Sequence, residues 1–436
     1  MSLLNGILSM SLSLLIPVIL VLALFGMPLF AVILSLALVG FHASDIDLSV
    51  IAIEIYRLTN TPLLLALPLF TLTGYLLSHG KTSERLVRLS RAFLGWMPGE
   101  LVIVSLFACA LFTAFTGATG ITIVALGALL YPALKRDGYS KRFSLGLVTT
   151  SGSLGLLLPP SLPLIIYAVI VQQMDLEQSV TITELFKAGL LPSLLMIFVI
   201  IAWSAWTNRN LKTEKFPFNT HEAFAALKAA SWEIPLPFIV LGGIYGGFFA
   251  VSEAAAITAL YVLIVQVFIY KETRLKELPD IAKESMLVVG GILLILGVSL
   301  ALTNYLIDAE IPGILFEWVK QHISSPITFL LFLNVFLLVL GAILDIFSAL
   351  VIMVPLIVPL AIGYGIDPIH LGIIFLANMQ LGYFTPPVGM NLFIASYRFN
   401  RPITDIYKAT IPFFLVLLIA VLIITYWPAL SLTFVR

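Results

Sequence analysis

One cysteine, Cys109, stands in 436 residues, so no intrachain disulfide and no cysteine-based metal site can form. The five histidines, at 42, 79, 221, 322 and 370, are scattered, and no His-Glu-x-x-His pattern occurs to suggest a metalloprotease. Charge is scarce: 11% of residues are charged, against about 25% in a soluble domain. The formal net charge is zero, so nucleic-acid binding lacks electrostatic support. Polar stretches are short, the longest running from Thr207 to Trp232, which leaves no room for a soluble domain of useful size. The stretch from Gly74 to Thr82 ends in Gly80-Lys81-Thr82, but it has five residues between its glycines and follows no strand. It is no P-loop, so ATP hydrolysis has no seat here.

What the chain has instead is apolar sequence. Hydrophobic residues make up 60% and gather in blocks, so the chain reads as an all-α polytopic membrane protein. The blocks run 6–25, 28–41, 62–79, 101–115, 120–134, 143–173, 185–206, 234–249, 253–270, 285–306, 327–344, 348–362, 370–397 and 410–430. The first has no basic segment before it and leads straight into the second, which predicts a retained span, not a cleaved signal. Four blocks, 101–115, 120–134, 327–344 and 348–362, fall short of the about 20 residues that a crossing helix needs. They come in two pairs, joined by Thr116–Thr119 and by Asp345–Phe347. Each pair is expected to form a re-entrant hairpin.

The pairs belong to a duplication. At one offset of 227 residues Pro132 matches Pro359, Gly138 matches Gly365, Gly155 matches Gly382, and Pro159-Pro160 matches Pro386-Pro387. Breakers recurring in register predict a hairpin and an interrupted helix in each half. Charge sets orientation. The flanks of the first hairpin, 81–97 and 135–142, hold eight basic residues against Glu84 and Asp137. Those of the second, 307–326 and 363–369, hold Lys320 against Asp308, Glu310, Glu317 and Asp367. The positive-inside rule opens the first hairpin to the cytoplasm and the second to the outside, so the repeats are inverted. The loops agree. Asp45, Asp47, Glu54, Asp175, Glu177 and Glu184 fall outside. Arg209, Lys212, Lys215, Lys228, Lys271, Arg274, Lys276, Lys283, Arg398 and Arg401 fall inside, and both termini are external. Segments 81–97 and 220–231 are expected to be surface helices on the cytoplasmic face, acting as arms.

The tips and breaks carry the chemistry. At the first tip Thr116, Gly117 and Thr119 can turn the chain and leave carbonyls open at membrane depth, which only a buried or wet setting tolerates. Carbonyls and hydroxyls suit Na⁺, and helix N-termini suit an anion. Packing through small residues gives the same composition. The adjacent broken helix offers Ser151, Ser153, Gly155 and Pro159; two successive prolines remove two donors and free the carbonyls of 155–158. The second tip carries Asp345, the one acid between Pro326 and Ile362, with Ser348 a turn on. A lone carboxylate there is a cation ligand or a cap on the tip amides. Its companion helix supplies Asn378, Gln380, Gly382, Thr385, Pro386, Pro387 and Asn391. The expected cation set is Thr116, Gly117, Thr119, Ser151, Gly155, Pro159, Asp345, Ser348, Gly382, Thr385 and Pro386. The expected substrate set is Thr116, Gly117, Thr119, Ser153, Asn378, Gln380, Thr385 and Asn391. No intramembrane Arg or Lys forms a carboxylate clamp, since Arg398 and Lys187 lie near membrane boundaries. Ser252 is expected to cap the helix after it, with Glu253 in the first turn.

Four runs then carry a resemblance. Gly243 to Ala256 (GIYGGFFAVSEAAA), Gly155 to Ser161 (GLLLPPS), Gly341 to Pro359 (GAILDIFSALVIMVPLIVP) and Gly382 to Asn391 (GYFTPPVGMN) are similar to the large membrane subunit of tripartite ATP-independent periplasmic (TRAP) transporters. The first tip reads Thr-Gly-Ala-Thr where many members have a serine-rich tip. The resemblance implies an elevator fold, with a transport domain sliding against a scaffold. It implies Na⁺ as coupling ion, a small organic acid as substrate and no organic cofactor. It also implies two partners, a small four-helix membrane subunit and a periplasmic substrate-binding protein, at the bacterial inner membrane. The family's cation sites fall here at Thr116–Thr119 with Ser151–Pro160, and at Asp345 to Ser348 with Gly382–Pro387. The matching division is scaffold helices 1–61, first repeat 62–173 with hairpin 98–134 and broken helix 143–173, scaffold and arm 185–270, second repeat 285–397 with hairpin 327–362 and broken helix 370–397, and C-terminal helix 404–436. A stand-alone Na⁺/divalent-anion symporter without binding protein is the alternative. An intramembrane enzyme would need a partner for Asp345, and the spans offer none that convinces. A channel fits poorly with two inverted hairpins.

Overall fold

The computed structural model describes residues 15–19, 21–23, 25–59, 61–94, 96–97, 99–174, 176, 179–211 and 219–435. Residues 6–14 of the first apolar block and the loop charges Asp175, Glu177, Lys212 and Lys215 lie outside the described residues. The helices are α1 (Leu29–Ala43), α2 (Ser49–Thr59), α3 (Ala66–His79), α4 (Thr82–Leu94), α5 (Glu100–Thr116), α6 (Thr119–Arg136), α7 (Lys141–Ser151), α8 (Leu162–Gln172), α9 (Ile182–Thr207) and α10 (Thr220–Ala229). They continue as α11 (Pro235–Tyr245), α12 (Val251–Ile264), α13 (Leu278–Asp308), α14 (Ile311–His322), α15 (Pro326–Ile343), α16 (Ile346–Gly363), α17 (Pro368–Gly382), α18 (Met390–Phe399), α19 (Ile403–Tyr426) and α20 (Ala429–Leu432). The described residues contain no strand. Among them seven stretches are long and apolar enough to cross a membrane, with 141–172 counted across its break.

The duplication shows in the backbone. Adding 227 to the ends of Thr119–Arg136 gives Ile346–Gly363, the observed bounds of α16. The same shift carries α5 onto α15 and α8 onto α18 to within one residue at each end. Gly138 and Gly365 both adopt positive φ, +90° and +74°, a backbone that a side chain disfavours. The peptide bonds of Pro159-Pro160 and Pro386-Pro387 are both cis. A short 3-10 turn, Leu154–Leu157, bridges the first break.

The helices gather in two bodies. α13 packs on α1, α2 and α3, while α12 packs on α3 and α11. The hairpins, the broken helices and α19 form the other body. Helix α9, which the sequence grouping puts with 253–270, packs instead on α17, α19, α20 and the first break. Its partners are set by long-range contact, which an all-round apolar helix does not encode. The hairpins differ. α5 and α6 lie side by side, whereas α15 and α16 touch far less and α15 leans on α17. Along α15, Ile327, Leu331, Val335, Val339 and Ile343 are exposed at four-residue spacing, while Leu330, Leu333, Leu337 and Gly341 are buried. An apolar stripe facing out at that period is a lipid-facing surface.

The helix after Ala250 starts two residues earlier than the sequence predicts. Ala250 is the N-cap, Ser252 lies inside α12, and Glu253 reaches back so that its Oε2 accepts from Ala250 N at 2.8 Å. A third-position glutamate caps in this way without a hydroxyl partner.

Candidate functional site

The first tip turns at Gly117, with φ +64°, between α5 and α6. Thr116 is buried and spends its hydroxyl on Phe112 O, 2.9 Å away in its own helix. Thr113, not singled out from sequence, ties the tip to its break: Oγ1 donates to Gly152 O at 2.9 Å and lies 2.6 Å from Thr122 Oγ1. Gly155 has no room for a side chain, since a Cβ would strike Ala110 O and Ala114 N. Two of the freed carbonyls find partners inside the break. Leu156 O accepts from Ser161 Oγ, and Gly155 O accepts from Leu158 N. Ser151 Oγ donates to Val148 O at 3.2 Å. Pro159 and Pro160 are buried.

At the second tip Asp345 is the N-cap of α16. Its Oδ1 accepts from Phe347 N and Ser348 N, both at 3.0 Å, and Oδ2 accepts from Ser348 Oγ. The residue thus satisfies tip amides that would otherwise be orphaned at membrane depth. Tyr383, not singled out from sequence, supports the turn by accepting from Ile346 N at 3.0 Å. The break beside it stays close: Gly389 N donates to Ala342 O at 2.9 Å and Asn391 N to Tyr383 O at 2.9 Å. Thr385 Oγ1 donates to Leu381 O at 2.8 Å. Unlike their first-half counterparts, Pro386 and Pro387 are exposed.

Beside the tips and breaks, two side-chain bonds link the halves. Thr119 Oγ1 donates to Asn391 Oδ1 at 2.7 Å. Ser153 Oγ donates to Gln380 O at 3.3 Å. Residues 153 and 380 are themselves 227 apart, so equivalent positions meet where the pseudo-two-fold axis passes. Around these contacts Asn391 Nδ2, Thr150 Oγ1 and both polar atoms of the Gln380 side chain are buried with no hydrogen-bond partner among the described residues. Asn378 Oδ1 is also buried and unpartnered among the described residues, but the Asn378 amide nitrogen is tied elsewhere. This Nδ2 donates to Asn334 Oδ1 at 2.7 Å and Ile374 O at 2.9 Å, and Asn334 Oδ1 also accepts from Thr425 Oγ1 at 3.1 Å. That triad fastens α15, α17 and α19 together, as polar residues do between membrane helices. Among the described residues no three His, Cys, Asp or Glu side chains converge on one point; the tips present hydroxyl and carbonyl oxygens and the single Asp345 carboxylate.

Cap and cation ligand separate by substitution. Asp345→Ala is expected to cost about 0.5–2 kcal/mol of stability through the lost cap. Asp345→Asn keeps an oxygen acceptor and should recover most of it. Thermal melting of both variants, with and without Na⁺, reads the two roles separately.

The chain has clear relatives. Residues 15–430 match the family model for the DctM component of tripartite ATP-independent periplasmic transporters. A C4-dicarboxylate TRAP transporter large permease protein of Pseudomonas aeruginosa is 34% identical over 383 residues, covering 88% of each chain. An ectoine TRAP transporter large permease protein of Halomonas elongata is 31% identical over 371 residues, covering 85% of each. In architecture the chain is similar to the Alcanivorax borkumensis YdaH transporter, with a TM-score of 0.59 at 16% identity over 86% of this chain and 89% of that one. With a family match spanning the hairpins, the breaks and both bodies, the chain belongs to the DctM family, the large permease component of tripartite ATP-independent periplasmic transporters.

Proposed function

We propose that this permease imports a small organic acid across the bacterial inner membrane with Na⁺, by an elevator movement of the hairpin body against the α1–α3 and α11–α13 body. The substrate arrives from a periplasmic substrate-binding protein, and a small four-helix membrane subunit completes the assembly. The observation that carries this reading is the group of unpartnered amide and hydroxyl atoms at Gln380, Asn391 and Thr150, where both halves meet. Buried polar atoms left open are costly, and a ligand with carboxylate oxygens would satisfy amide donors there. Na⁺ travels as cargo. The tips supply hydroxyl and carbonyl oxygens, which suit a hard monovalent ion better than a soft one. In this reading Thr116, Gly117, Thr119, Ser151, Gly155 and Pro159 serve one cation site, and Asp345, Ser348, Gly382, Thr385 and Pro386 the other. Thr119, Ser153, Gln380 and Asn391 face the substrate.

The exposed second break supports an opening toward the cytoplasm. Pro387 O accepts from Tyr407 Oη at 2.5 Å, near the start of α19, which Arg398 and Arg401 precede. The relatives' names state C4-dicarboxylate, isethionate and ectoine as cargo.

The test is uptake by vesicles holding this chain and its membrane partner, with the binding protein outside and a C4-dicarboxylate or ectoine supplied. An inward Na⁺ gradient should drive accumulation, and K⁺ in its place should not. The purified chain should also melt at a higher temperature in Na⁺ than in K⁺ at equal ionic strength, by an amount set by ion occupancy. Equal uptake in the two salts would falsify the coupling.

A further inference from the structure

Helix α4 looks like a solvated arm, with Arg85, Arg88 and Arg91 on successive turns. Arg88 behaves so: it pairs with Glu222 of α10 at 2.7 Å with both side chains about half exposed. Arg85 does not. Its side chain is 11% exposed and lies between two carboxylates of the α11–α12 region, Glu233 before α11 and Glu272 beyond α12, themselves 3% and 16% exposed. Its Nε donates to Glu233 Oε1 at 2.5 Å, Nη1 to Glu272 Oε1 at 2.5 Å and Nη2 to Glu272 Oε2 at 3.1 Å. Its Cζ sits 3.9 Å over the ring of Tyr270, whose hydroxyl donates to Glu233 Oε2 at 2.8 Å. Lys81 N donates to Glu272 Oε2 at 2.7 Å, and Gln266 Nε2 to Thr82 Oγ1 at 3.0 Å. Burial pushes the Glu272 carboxyl up, but bonds from Arg85 and the Lys81 amide outweigh it and hold it below its ordinary value.

The magnitudes separate these two arginines. An exposed pair contributes little, whereas removing one member of a buried, fully bonded cluster strands a charge without water. A planar guanidinium that bridges two carboxylates and stacks on a ring also fixes direction, which a lysine cannot do. The helix so held leads through the short segment 95–99 into α5, the first arm of the first hairpin, and Gly99 at its end has φ +75°. The equivalent helix of the second repeat, α14, is fastened differently: Pro312 stands where the 227-residue offset places Arg85, and Phe316 stacks edge-on with Tyr364.

We propose that Arg85 is a positioning residue of the transport cycle: with Glu233, Glu272 and Tyr270 it fastens α4 to the α11–α12 body, so that movement of the first hairpin begins beyond Leu94. This rests on the elevator reading, and its test tells the two apart.

In a Cys109→Ser background, spin labels at Lys276→Cys and Phe93→Cys report the arm against the fixed body. Labels at Lys276→Cys and Arg136→Cys report the hairpin. The full chain is reconstituted with its membrane partner, and distances are compared in Na⁺ and in K⁺. The expected result is a hairpin distance that changes with the ion and an arm distance that does not. Arg85→Ala should broaden the arm distance and lower the uptake rate by about tenfold with KM little changed. Arg85→Lys, which keeps the charge, serves if the alanine variant fails to fold, and should broaden the arm distance as well. Glu222→Gln should leave both readouts within about twofold. An arm distance that shifts together with the hairpin overturns the proposal, as does a narrow arm distance in both Arg85 variants. A hairpin distance that never changes overturns the elevator reading and the proposal with it.

Discussion

Gly382→Val is expected to abolish uptake and to remove the Na⁺-dependent rise in melting temperature. Gly382 closes α17 at the second break, and a Cβ on it would stand 2.5 Å from the backbone carbonyl carbon of Gly341. Gly341 returns the constraint, with its own Cβ position 3.0 Å from Gly382 Cα. Both obstacles are backbone, so no rotamer change relieves them, and the tip must move away from the break. Overpacking of this kind costs about 1–3 kcal/mol in ordinary cores. In the proposed reading the displaced element belongs to a cation site, so the loss of function should exceed the loss of stability. Gly290→Ala is the matching control. Nothing lies within 4 Å of a Cβ there, and the residue sits inside α13. Alanine in a helix interior should gain about 0.5–1 kcal/mol, and uptake should persist.

Gln380→Leu should move stability and function in opposite directions. The residue is fully buried, and its side-chain nitrogen and oxygen have no hydrogen-bond partner among the described residues. Leaving such an amide open costs about 1–3 kcal/mol, so an apolar side chain of similar size should raise the melting temperature in the absence of substrate. If the amide serves the substrate, the same change should lower uptake by about tenfold or more. Melting curves and initial rates on one preparation are enough. A stabilised variant that transports normally would show that Gln380 is not a ligand residue.

Much of the architecture was legible in the sequence because its punctuation acts locally. Proline removes a donor and glycine permits positive φ wherever they stand, so the 227-residue register placed the hairpins and breaks to within a few residues. Rotation about each helix axis was hidden, because a helix that is apolar all round does not say which side faces which neighbour. Asn378 was therefore grouped with the tips, although it bonds to Asn334, which Thr425 holds in turn. The same blindness hid the partners of Thr119 and Arg85, which lie 272 residues on and up to 187 residues on. Asn334 could have been noticed as a lone amide in an apolar run. Asp345 was found as the lone acid of its block, and its bonds to Phe347 N and Ser348 N show the capping half of the two roles weighed for it.

The unequal postures of the two halves carry a consequence. The first hairpin is closed and its proline pair buried, while the second hairpin is splayed and its proline pair open. Let the halves trade postures residue for residue across the 227-residue register. The closed hairpin would open, the open one would close, and the exposed proline pair would be the one at 159–160. Because the halves are inverted, that opening would face the opposite side of the membrane. One chain thus holds, in the difference between its two copies, a template for its own counterpart state, and two labels per half would suffice to recognise it.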